Sequence, residues 1–155
     1  GYKYTHGTPF RRAIEENLID PKRYVMIGIR GSLYDPNDMK WAKDQGVTII
    51  TIDEYYDMGF EKSMQLVKNV LGNSPTYLTF DIDGIDPTFA PGTGTPEVGG
   101  FNVREAQLII RELKHVDFIG ADVVEISPPF DVNNMTSLVG ATIAFEILCT
   151  MTRTN

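Results

Sequence analysis

The stretch Thr79-Phe80-Asp81-Ile82-Asp83-Gly84-Ile85-Asp86-Pro87 is an apolar, β-prone run that ends in three carboxylates and is then broken by Gly84 and Pro87. Strands buried on both faces read as nearly continuous apolar runs. In open sheets of such strands, ligands bind beyond the carboxyl ends. Asp81 and Asp83 are two residues apart, so on extended backbone both side chains leave on one side and converge. Carboxylates held that close repel each other, and a divalent cation removes the repulsion by coordinating both. The plainer alternative is a solvated acidic turn that ends a strand.

Outward from this stretch, residues 24–29, 47–52 and 118–126 read as further strands beside 77–82. Helical spacing marks 37–45, 61–71, 103–113 and Met135–Met151. Leu66, Val67 and Val70 give one helix its apolar face, and Asn102 is a plausible N-cap. The alternating order predicts an α/β fold of three α/β/α layers, with a mainly parallel sheet between helices. The chain of 155 residues, 42% hydrophobic, has the length of one domain, and no repeat or linker divides it. It lacks an initiator Met and reads as a piece of something longer.

Charge and composition exclude some partners. With 14 basic against 21 acidic residues and a net charge of -7, the chain has no basic face for nucleic acid, whereas a small cationic substrate suits it. No run approaches the roughly 20 apolar residues of a membrane span, and the N-terminus has no signal-peptide core. The single cysteine, Cys149, cannot form an internal disulfide. A soluble, cytoplasmic protein without membrane partners is expected.

The continuation Pro87-Thr88-Phe89-Ala90-Pro91-Gly92-Thr93-Gly94-Thr95-Pro96-Glu97-Val98-Gly99-Gly100 carries no Gly-Lys-Ser or Gly-Lys-Thr, so it is not a Walker phosphate loop. Its glycines and prolines predict a rigid, solvent-poor loop that brings the Thr93 and Thr95 hydroxyls near the carboxylates. An EF-hand fails because Ile85 stands at the fifth loop position, which needs an oxygen ligand. Phe80 to Gly84 is also similar to the start of haloacid dehalogenase-like phosphatases, but Ile85 replaces the expected Thr and too little chain follows for that fold.

As a string, Asp81-Ile82-Asp83 with Asp86-Pro87, followed by Ala90-Pro91-Gly92-Thr93-Gly94-Thr95-Pro96 and Gly99-Gly100, resembles the signature of the ureohydrolases, the family of arginases and agmatinases. Tyr4-Thr5-His6-Gly7-Thr8, Gly28-Ile29-Arg30-Gly31 and Asp122-Val123-Val124-Glu125-Ile126-Ser127-Pro128 resemble other segments of that family, in the same order. The resemblance implies an arginase-like fold whose first strands are missing, with residues 1–155 as the C-terminal part of a single ureohydrolase domain. One sheet edge would then be unpaired, which invites pairing with another chain.

It also implies two Mn²⁺ ions, with Asp81 bridging both and Asp83 bound to one. The remaining ligands, a histidine and an Asp-Ala-His-x-Asp strand, would lie upstream of this chain. His6 matches a proton-shuttling histidine, and His115, beside Lys114 and Asp117, is read as solvated. Glu125 ends an apolar strand and needs a partner. That partner is either a structural group such as Arg30 or, as the resemblance implies, the N–H groups of the substrate's guanidinium, with Thr95 close by. Asp86 reads as a turn residue.

Departures from the family narrow the substrate. Arginases read Ser-Gly-Asn-Leu-His-Gly where this chain has Tyr2-Lys3-Tyr4-Thr5-His6-Gly7, and they carry Asp-x-Asp where Gly31-Ser32-Leu33 stands. Agmatine, giving urea and putrescine, is therefore expected before arginine, with guanidinobutyrate and proclavaminate close behind. A homo-oligomer is expected. The isolated segment is expected to be inactive, and the alternative from a different class is a non-catalytic remnant that only binds partners.

Overall fold

The computed structural model describes residues 2–33 and 35–152. Its elements run in the order α1 (Pro9–Glu15), β1 (Val25–Ile29), α2 (Lys40–Gln45), β2 (Thr48–Thr51), α3 (Ile52–Met58), α4 (Phe60–Leu71), β3 (Thr76–Asp81), α5 (Val103–Glu112), β4 (Phe118–Val124) and α6 (Met135–Met151). Strands alternate with helices and pair in parallel, as the α/β expectation requires. The pairing is β1 with β2 and β3 with β4, and among the described residues no ladder joins the two pairs.

Local chemistry explains most boundaries. The run predicted over 47–52 stops at Thr51, whose hydroxyl accepts the Glu54 N–H while the Glu54 carboxylate accepts the Thr51 N–H. This reciprocal cap starts α3, a helix that the apolar pattern concealed. Asn102 and Glu105 form the same box at the start of α5, confirming the predicted N-cap. Pro9 opens α1, a second helix that the apolar pattern does not announce, where it needs no backbone N–H. The strand predicted over 118–126 ends at Val124, because Glu125 turns into the left-handed region at φ 64 and Ile126 makes only a bridge to Thr93.

Two buried clusters hold the elements. Ile50, Tyr55, Met64, Val67, Leu71 and Phe101 pack between the β1–β2 pair and its helices, and Phe118 joins them from β4. Met64, Val67 and Leu71 lie at helical spacing on one face of α4, and burying side chains of this size contributes about 1.5–3 kcal/mol each. Ile82, Ile85, Ala106, Ile110, Val139, Ile143 and Ile147 form the second cluster, beneath the end of β3. Helix α5 joins the two, since Ile109 packs in the first and its neighbour Ile110, about 100° around the helix, in the second. Met151 and Leu78 pack against both.

Two glycines permit approaches that place strand ends. Gly28 sits at φ 88 in a β1 irregularity with the Phe101 ring against it, so a Cβ there would collide with the ring. Gly140 of α6 lies against Ile126, just beyond β4. Among the described residues no helix is long and apolar enough to cross a membrane.

Candidate functional site

Strands β3 and β4 run in register, with Asp81 opposite Val124, so Asp81 and Glu125 leave adjacent strands at the same carboxyl end. The chain does not continue extended past Asp81. Residues Ile82–Gly84 form a single 3₁₀ turn, and the Asp81 carboxylate accepts the Asp83 N–H at 3.0 Å to cap it. Asp83 therefore reaches the site from a turn, not from a strand as the two-residue spacing predicted. Ile82, fully buried between the two acids, is the anchor that forces the turn.

Asp83 and Glu125 both lie close enough to Asp81 for their charges to act on it. Burial pushes the Asp81 carboxyl up to about 6. The Asp83 N–H opposes that rise, and the negative charges of Asp83 and Glu125 add to it. The rise occurs although Asp81 as a whole residue is exposed, so the direction of the shift rests on the crowding of like charges as well as on burial. Glu125 holds its carboxylate beyond β4 through a left-handed backbone, a conformation that costs a residue with a Cβ about 1–3 kcal/mol and concentrates at functional sites.

The loop over residues 91–100 closes above these acids. At its start, Gly92 N–H donates to Thr136 Oγ1 at 2.8 Å and Ser127 N–H donates to Gly92 O at 2.8 Å, which ties the loop to α6 and to the chain leaving β4. Asp131 accepts the Thr136 and Ser137 N–H groups and so fixes the start of α6 beneath it. At its end, Asp86 accepts the Gly99 and Gly100 N–H groups, and these bonds, led by those from Thr88, hold its carboxyl at about 2. Between the two ties, Thr95 Oγ1 donates to Asp83 Oδ2 at 2.9 Å. The expectation of a solvent-poor loop is corrected here, since Gly94, Thr95 and Pro96 are exposed and only Gly92 and Thr93 are buried. The Thr93 hydroxyl has no partner among the described residues.

Arg30 is not the partner of Glu125. Its Nη2 donates to the carbonyls of Asp83 at 2.6 Å and Glu97 at 2.5 Å, and its Nε donates to that of Val98 at 3.2 Å. From sequence, Arg30 stands out as part of a family-like strand end and as a possible counter-ion, and neither points to backbone partners. Its place just beyond the parallel strand β1 was the one signal that could have tied it to the site. His6 is exposed on the segment before α1, and among the described residues it makes no hydrogen bond or ion pair with Asp81, Asp83 or Glu125. Asp81, Asp83, Glu125 and Thr95 are thus brought together, and His6 is not joined to them.

The donor set suits a hard divalent cation in kind, since Asp81 and Asp83 are carboxylates whose crowding a cation would relieve. It is incomplete in number. Among the described residues, no group of three or more His, Cys, Asp or Glu side chains is arranged to hold a metal ion. The described residues supply part of such a site at most.

A conserved-family profile described as the Arginase family matches residues 1–150, and the chain belongs to that family. Guanidinopropionase from Pseudomonas aeruginosa is 56% identical over 146 residues, covering 94% of this chain and 46% of that protein. Mitochondrial agmatinase from Gallus gallus is 46% identical over 151 residues, covering 97% of this chain and 44% of that protein. The solved structure of proclavaminate amidinohydrolase from Streptomyces clavuligerus matches with a TM-score of 0.94 at 41% identity, over 100% of this chain and 52% of that one. The fold is therefore the three-layer α/β/α arginase fold, and the chain spans about half the length of the curated relatives it matches.

Proposed function

We propose that this chain is the C-terminal part of a manganese-dependent amidinohydrolase that cleaves a linear guanidino compound to urea and an amine. The observation that supports this most is the convergence of Asp81, Asp83 and Glu125 at the ends of β3 and β4 in a chain of the arginase family. Asp81 and Asp83 would hold Mn²⁺, with the other ligands supplied from outside the described residues. When bound, the metal makes water a usable nucleophile near neutral pH. Glu125 accepts the guanidinium N–H groups, for which a planar carboxylate is the natural bidentate partner. Thr95, already on Asp83, offers its hydroxyl oxygen to the same guanidinium. His6 gives a proton to the departing amine as the carbon–nitrogen bond breaks, or relays protons to solvent.

The substrate is a guanidino compound without an α-amino-acid head. The 56% match to guanidinopropionase favours guanidinopropionate or its longer homologue guanidinobutyrate. Agmatine, giving putrescine, is the second reading and rests on the 46% match to agmatinase. Arginine is disfavoured by Tyr2-Lys3-Tyr4-Thr5 and Gly31-Ser32-Leu33, which replace the residues that receive its head group in arginases. The enzyme works as a cytoplasmic homo-oligomer, although the agmatinase relative is mitochondrial.

The test is urea release by the full-length protein with Mn²⁺ from guanidinopropionate, guanidinobutyrate, agmatine and arginine in parallel. Turnover of one of the first three above arginine is expected. Arginine as the best substrate would overturn the substrate class, and no urea from any of the four would overturn the reading as a whole.

A further inference from the structure

We propose that Arg30 is a positioning residue that fixes the 94–100 loop over the strand-end acids and so sets Thr95 against Asp83. The proposal rests on the reading of that strand end as the guanidino site. An arginine just beyond a parallel strand, bonded to the turn that carries Asp83, would ordinarily be read as a counter-ion to a carboxylate. Here the guanidinium spends three bonds on backbone oxygens instead, one on the turn that carries Asp83 and two on the far end of the loop. It therefore ties the acid turn directly to the loop that overhangs it.

The packing leaves little room for any other arrangement. A Cβ on Gly100 would stand 2.7 Å from Arg30 Nη2, 2.7 Å from Asp86 N and 2.8 Å from Gly84 O, so the loop backbone presses against both the guanidinium and the turn. A Cβ on Gly31, the residue after Arg30, would stand 2.8 Å from Glu97 Oε2. Asp86 holds the same stretch from the opposite polarity, taking the Gly99 and Gly100 N–H groups while Arg30 takes the Glu97 and Val98 carbonyls. The start of the loop is held separately by Thr136 and Ser127. Between these anchors, Gly94 has open space around it and Thr95 is exposed, so the Thr95 position depends on where the two ends are held. Nη2 serves Asp83 O and Glu97 O while Nε serves Val98 O, and the single nitrogen of a lysine ammonium does not reproduce that two-nitrogen spread.

Amide hydrogen exchange in the full-length protein tests this. In Arg30→Met, the Gly99 and Gly100 amides are expected to exchange on the order of tenfold faster, while the core amides of Ile50 and Ile110 keep their wild-type rates. Arg30→Lys keeps the charge and is expected to fall between the two. Unchanged loop exchange in Arg30→Met would overturn the proposal, as would equal acceleration of loop and core, which marks a general stability role. Should Arg30→Met fail to fold, Arg30→Lys decides, and wild-type loop exchange in it overturns the fork argument. Because the readout is amide protection and not urea, its failure is distinct from failure of the hydrolase reading.

Discussion

The 91–100 loop and the 2–8 segment carry Thr95 and His6, and the fold treats them in opposite ways. The loop is tied at one end by Thr136 and Ser127 and at the other by Arg30 and Asp86, all distant in sequence. The 2–8 segment holds itself by local bonds, with Thr8 Oγ1 accepting the Thr5 N–H and lying 3.1 Å from Thr5 O and 3.2 Å from Lys3 O. Its attachment to the rest of the chain comes later, through Phe10 against Tyr24 and Arg11 over Trp41. The groups proposed to hold substrate and metal stand on anchored backbone, whereas the proposed proton donor rides on a segment that, among the described residues, makes no bond to the site. A proton relay needs less exact placement than metal coordination does.

The comparison breaks first at the acids. Asp81→Ala or Asp83→Ala in the full-length protein is expected to abolish both manganese binding and urea release, as measured by metal analysis and turnover together. Each removes a charged ligand and leaves the remaining carboxylates uncompensated. Normal metal content and rate in Asp83→Ala would show that the anchored strand end is not the site. His6→Ala should leave metal bound and slow turnover by about 10² to 10⁴, the usual contribution of a positioned acid or base. Loss of metal in that variant would mean that the 2–8 segment is as much part of the coordination as the strand ends.

Two smaller effects sharpen the anchored side. Gly28→Ala drives a methyl group into the Phe101 ring at a left-handed backbone position, and about 2–4 kcal/mol of destabilisation by denaturant titration is expected. Asp86 gives a pH signature. Its folded carboxyl is held at about 2, below the ordinary 3.8, so its contribution is fully present above pH 3.8 and is lost as pH falls through about 2. Asp86→Asn should therefore be less stable than wild type near neutrality, with the gap closing across that acid window. A gap independent of pH would mean that its loop bonds do not depend on its charge.

The contrast also explains what could be read from the residues. The parallel strands, the long helices α4, α5 and α6, and the strand-end acids were legible because each is written in a local pattern of apolar periodicity, caps and spacing. Helix α3 was hidden because Ile52 continues the apolar run of β2, and only the Thr51–Glu54 reciprocal cap separates them. Helix α1 is short, and its one buried residue, Ile14, gives too little pattern to find it. The role of Arg30 was out of reach for a different reason. Its partners lie more than fifty residues away and are backbone carbonyls, which carry no sequence identity. Asp83 on a turn was missed because the spacing rule assumes a strand, and Ile82 as a core anchor overrides it.

We propose that the described residues bring only the strand-end half of a divalent-cation site. Titration of the 155-residue chain with Mn²⁺, followed by paramagnetic broadening of its amide signals, addresses it most directly. Weak binding is predicted, with Asp81, Asp83, Thr95 and Glu125 broadened first. Tight uptake of two ions per chain, or broadening that begins at surface acids such as Glu54 and Asp57, would contradict it.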